Sequence, residues 1–278
     1  ARSAFFPPVP AGNPTFGATI AVDTDNEWNH KKFANNTTNA SNWLADLFTQ
    51  MNVMYERDVV LRLFQGTTIL RLDLDNPPTY NDDPWTVTGS GASITHLNEF
   101  GNWWSANQGG VSRVLAMLLS GKSSNPNSSS GIAWIDGYCE TQNTGGGYSV
   151  TQTFTANISV LNDVRVIAHE LGHNFGSPHT HCYSPPIDNC YASEAGCYSG
   201  PVSCPGGPGT MMSYCHFPSG AGGANCGANQ IAFHSRTITL INGLIAAHTP
   251  ACVPPLSAPI FTDGFESGNT GAWSGTLP

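Results

Sequence analysis

The stretch AHELGHNFGSPH (168–179) decides how this sequence is read, because His169, Glu170, His173, Gly176 and His179 stand in it at intervals that have a geometric meaning. At about 100° per residue, Val160, Val164, Ile167, Ala168, Leu171 and Phe175 gather on one side of a helix. His169 and His173, one turn apart, share roughly the opposite side, which suits two ligands of one Zn2+. A continuing helix would carry His179 about 9 Å further along the axis. The chain therefore has to turn first. Gly176 lets it do so, since glycine takes a left-handed conformation without steric cost, and Pro178 discourages helix beyond that point. Three neutral imidazoles leave the fourth tetrahedral position to water, which is the arrangement of a catalytic rather than a structural zinc. Glu170 then stands beside the ion as a candidate general base. From the chain's own His, Glu and Gly frequencies such a pattern arises by chance with a probability on the order of 10⁻⁵, so an incidental surface helix is set aside.

Upstream, the first 17 residues are rich in Pro, Gly and Ala and read as an extended lead-in. ATIAVD (18–23) is a short apolar strand, and Trp43, Leu44, Leu47, Phe48, Met51 and Met54 mark the buried face of a helix that follows the Asn-rich segment 35–42. DVVLRLF (58–64) and TTILRL (67–72), with a glycine between them, predict two strands, and PPTYNDDP (77–84) a loop. A helix over 93–107 capped by Ser93 comes next, then strands at RVLAMLLS (113–120) and GIAWID (131–136). Strands alternating with helices up to about residue 175 predict an α/β (α+β) fold, a mixed twisted sheet with helices forming an upper lobe.

Downstream the character changes. From 177 to 228 periodicity fades, Gly and Pro abound, and six of the eight cysteines fall between 182 and 226. An irregular lower lobe held by disulfides in an oxidising compartment is expected, and the absence of any CxxC pair argues against a thiolate metal cluster. Helical periodicity resumes over 230–248. The domain reading is one catalytic unit over 1–252, its upper lobe at about 1–176 and its lower lobe at 177–252, with 253–278 as linker and tail.

Charged residues make up only 10% of the chain, with 10 Lys plus Arg against 19 Asp plus Glu and a net charge of -9. Such a balance offers no basic footprint for nucleic acid or an anionic membrane, so neither partner is expected. No apolar run is long enough to span a bilayer. A secreted, extracellular monomer whose numbering begins at a processed N-terminus is the expectation.

HExxHxxGxxH followed by the methionine-containing TMMSYC (210–215) resembles the metzincin zinc metallopeptidases, and GIAWIDGYC (131–139) together with AHELGHNFG resembles the adamalysin or reprolysin family within them. The likeness extends loosely from about 18 to 252. It implies a zinc-dependent endopeptidase acting on protein or peptide substrates, with Met212 in the turn beneath the metal. It also implies that substrate lies along an antiparallel edge strand, which maps to Gly131, Ile132, Ala133, Trp134 and Ile135. Cys139 would pair with Cys252 or another late cysteine. The resemblance leaves room for a structural Ca2+, to which no residue is assigned. The wall of the primed pocket would follow the Met turn, where HFPSGAGG (216–223) carries no bulky charged group and suggests apolar substrate side chains.

Two positions depart from the pattern. Adamalysins usually carry Asp directly after the third histidine, where this chain has Thr180. Tyr214 stands two residues after Met212, as the extra zinc-ligand tyrosine does in astacin-like and serralysin-like metzincins; it either serves the metal or an oxyanion, or simply packs in the turn. His181, two residues after His179, could compete as a ligand, but the interval from Gly176 favours His179. The alternative function is a catalytically silent binding or adhesion module on the same scaffold.

Overall fold

The computed structural model describes residues 14–249 and 251–256; the lead-in before 14 and the expected tail from 257 onward lie outside the described residues. Its elements run β1 (Phe16–Thr24), α1 (Asn26–Phe33), α2 (Thr37–Val59), β2 (Leu61–Ile69), α3 (Ile94–Asn107), β3 (Leu115–Ser120), β4 (Ser130–Ala133), β5 (Tyr148–Gln152), α4 (Val160–Asn174) and α5 (Ser235–His248). The five strands form one mixed sheet in the order β2-β1-β3-β5-β4, parallel throughout except for β4, which pairs antiparallel with β5 at the edge. Parallel neighbours need crossover connections; α1 and α2 lie in the one between β1 and β2, α3 in the one between β2 and β3, and β4 in the one between β3 and β5.

Strand alternation divides the interior into two cores. Ile20, Val22, Leu115, Met117 and Leu119 join Trp43, Leu44, Leu47, Met51 and Met54 of α2 and the apolar face of α4. From the other side of the sheet Ala21, Ala116, Leu118, Tyr148 and Val150 meet Leu97, Phe100 and Trp104 of α3. The helix α4 that carries HExxH is therefore locked against the first core.

Several boundaries differ from the sequence reading, each for a local reason. The two strands expected over 58–72 are one: residues 58–59 complete α2, Val60 caps it in the left-handed region at φ 49°, and Gly66 continues the strand. Gly66 sits opposite a register shift between Ile20 and Val22, where a β-carbon would lie 2.6 Å from Thr19 Cγ2, so this glycine marks a bulge rather than a turn. Strand β4 ends at Ala133 rather than 136, and α5 begins at Ser235 rather than 230. The short α1 has little apolar periodicity; Asp25 caps it by accepting from the Trp28 N–H at 2.7 Å, and Lys32 pairs with Asp163 of α4 at 2.9 Å with both side chains fully buried. Burial without solvent makes that pair costly to break from one side.

Between 177 and 226 the regular structure reduces to single 3₁₀ turns at Thr180–Cys182 and Ser219–Ala221. Three disulfides, Cys182–Cys197, Cys190–Cys215 and Cys204–Cys226, cross-link the span. The fourth, Cys139–Cys252, ties the segment after β4 to the chain beyond α5. None of the described helices is long and apolar enough to cross a membrane.

Candidate metal centre

Helix α4 starts at Ser159, whose hydroxyl accepts from the Leu161 N–H, and buries Val160, Val164, Ile167, Ala168 and Leu171. At its far end Gly176 takes φ 97° and donates its N–H to the His173 carbonyl at 2.8 Å. A β-carbon on Gly176 would lie 2.2 Å from Leu244 Cδ1, so both the dihedral and the space call for glycine. This turn returns the chain and brings His179 to the two helical histidines.

The three imidazoles converge through Nε2, with His173 at 3.1 Å from His169 and 3.0 Å from His179. Two nitrogens each about 2.05 Å from one tetrahedral ion would be about 3.3 Å apart, close to what is seen. Each opposite nitrogen is engaged: Nδ1–H of His169 donates to the Met211 carbonyl at 2.8 Å, that of His173 to the Ser177 carbonyl at 2.7 Å, and that of His179 to Glu194 Oε2 at 2.7 Å. Those bonds fix the tautomer and leave three Nε2 lone pairs facing one another. Lone pairs at such separations repel unless a cation lies between them, so the donor set fits a bound metal ion.

Burial, reinforced by the neighbouring imidazoles, holds His169 well below its ordinary pKa, and burial lowers His173 to about 3. Both are thus neutral, as ligation requires. Glu170 is buried beside them, and burial raises its carboxyl to about 8. It lines a cavity of about 520 Å³ together with His169, Met211, Tyr214 and, from β4, Ser130 and Gly131.

Met212 is fully buried, and its sulfur packs so closely on α4 that a β-carbon at Gly172 would lie 2.6 Å from it. Tyr214 lies over His179 with ring centroids 4.0 Å apart and stacks on His169 at 5.9 Å. Of the expected edge-strand residues, Gly131, Ile132 and Ala133 pair with β5; Trp134 and Ile135 lie past the last pair, and Ile135 is exposed. His181 does not join the three. It is fully buried and its Nε2–H donates to the same Glu194 oxygen at 2.8 Å.

Where adamalysins carry Asp, Thr180 donates its N–H to the Met212 carbonyl at 3.1 Å and its hydroxyl to Ser213 Oγ at 3.0 Å. Ser213 donates onward to Asp188 Oδ2 at 2.7 Å. A buried carboxylate thus reaches the Met turn from a different point in the chain. Sequence spacing gave no signal for Asp188 or Glu194. Arg165 could have been found, since it stands one helical turn before His169 and faces the same cavity.

Residues 17–221 match Metallo-peptidase family M12 in its reprolysin form. The chain belongs to this metallopeptidase family. Among solved structures it is similar to metalloproteinase-II from Bacteroides fragilis, at 13% identity and a TM-score of 0.34, over 62% of this chain and 45% of that one. No curated protein matches the chain significantly. Membership of an M12 metallopeptidase family accords with metal dependence and with the histidine cluster at 169, 173 and 179.

Proposed function

We propose that this M12 metallopeptidase is a secreted, monomeric, zinc-dependent endopeptidase in which His169, His173 and His179 hold the metal and Glu170 is the general base. The observation that carries the reading is the convergence of three Nε2 atoms, that of His173 within 3.1 Å of the other two, while every Nδ1 is occupied elsewhere. Zinc, when bound, supplies a Lewis acid for the scissile carbonyl and acidity for the attacking water. Glu170 takes that water's proton and returns it to the leaving amine, and its raised carboxyl pKa suits both halves of the transfer near neutral pH. Tyr214, packed on His179, is the candidate donor to the oxyanion.

Substrate would run antiparallel along the outer edge of β4. Gly131 supports this reading, because a β-carbon there would lie 2.3 Å from Glu170 Oε1 and substrate on that edge passes beside the base. The catalytic unit is taken as 1–252, with lobes meeting at about 176 and 177, and 253–278 as linker and tail.

A silent binding module is disfavoured by the intact set of Glu170 and three histidines. Digestion of a denatured protein substrate, with new N-termini mapped by mass spectrometry, separates the readings. Cleavage at internal bonds is expected; hydrolysis of small esters without internal peptide cleavage would overturn the endopeptidase assignment.

A further inference from the structure

Arg165 stands apart from the other described arginines. Arg57, Arg62 and Arg71 each pair with a carboxylate, and Arg113 and Arg236 donate to backbone carbonyls. Arg165 makes no hydrogen bond among the described residues: its Nε is buried without an acceptor, and its remaining nitrogens are neither bonded nor buried. A guanidinium carries five donors in a fixed fork and does not lose its charge, and here its buried Nε–H lacks an acceptor among the described residues while the rest of the fork stays open to an incoming anion. It is half-buried on the wall of the 520 Å³ cavity, about 6 Å along α4 from His169. Among the described residues the only carboxyl on that wall is Glu170, which the proposed chemistry uses. Val166, Met211 and Phe217 form apolar sides between them. The cavity therefore combines apolar walls with a cation that has no anionic partner among the described residues, in place of the wholly apolar pocket suggested by residues 216–223.

We propose that this cavity selects an acidic substrate side chain, glutamate or aspartate, on the C-terminal side of the scissile bond, with Arg165 as the specificity-determining residue. The inference rests on the endopeptidase reading for its orientation, but not for the pairing itself. A carboxylate entering the cavity meets the guanidinium fork in two parallel N–H···O bonds. A charge-assisted contact of this kind gives tenfold or greater discrimination between Glu and its neutral isostere Gln.

The test uses zinc-loaded Glu170→Gln protein and fluorescein-labelled octapeptides carrying Glu or Gln at each position in turn. One position should bind Glu at least tenfold more tightly than Gln, and the ratio should shrink as salt is raised. Arg165→Gln should bring the ratio to about one, Arg165→Lys should keep part of it, and Arg165→Glu should reverse it toward Lys peptides. Because each ratio is taken within one variant, partial loss of folded protein does not change it. A Glu-to-Gln ratio near one at every position overturns the proposal. Cleavage of the same peptides by unmodified enzyme reads the other question: cleavage without a Glu preference removes the acidic pocket and leaves the peptidase, whereas a binding preference without any cleavage keeps the pocket and removes the peptidase.

Discussion

The groups around the three converging nitrogens come from two regions built on different physics. Helix α4 supplies His169, Glu170 and His173 from a backbone whose hydrogen bonds are internal and whose apolar face is wholly buried. The span 177–226 supplies His179, Glu194 and Tyr214 from irregular chain, held by side-chain bonds and three disulfides that close intervals of 15, 25 and 22 residues. Closing loops of that length removes about 3 kcal/mol of unfolded-state freedom each. A packed helix aims side chains without covalent help, whereas the loop region combines side-chain bonds with cross-links to do so.

The largest expected effect lies on the helix side. Glu170→Gln should lower kcat by about 10³- to 10⁴-fold while zinc content stays unchanged, because the base is lost and the ligands are not. Near-normal turnover would move the base into the loop region and erase the division of labour.

On the loop side, Tyr214→Phe should reduce kcat by about 10²-fold with little change in KM or zinc content if the phenol steadies the oxyanion. A fall of less than about threefold would mean that the ring only packs against His179. Smaller still is the effect expected at Glu194, which accepts the His179 Nδ1–H. Glu194→Ala should weaken zinc binding by about 10-fold or somewhat more, read by competition with a chromophoric chelator. Unchanged affinity would show that the disulfides alone position His179.

Reduction addresses the contrast directly, with hydrogen exchange as the readout. Amides in 177–226 should exchange first, while β1, β3 and β5, buried in the two cores, keep their protection. Simultaneous loss in both regions would show that the sheet leans on the disulfides as well.

The same division explains how much of the molecule was legible in its sequence. Apolar spacing located α2 and α4 because buried faces must recur with the helical period, and in α4 the same period placed His169 and His173 on a shared face. Gly176 announced the turn toward His179 through its dihedral freedom. Gly66 misled, because a glycine at a bulge and a glycine at a turn look alike along the chain. Asp188 and Glu194 were hidden because their contacts depend on how disulfides fold the loops, and no local period encodes that. Arg165 was hidden differently: its place on α4 was readable, but its lack of a partner among the described residues is a fact of three dimensions.

The measurement that bears most directly on a three-histidine zinc centre is metal content determined alongside proteolysis, before and after chelation. About one zinc per chain is predicted, with cleavage lost as the ion is removed and regained when zinc is returned. Full proteolytic activity in metal-stripped protein would contradict the assignment of His169, His173 and His179 as the ligands of a catalytic ion.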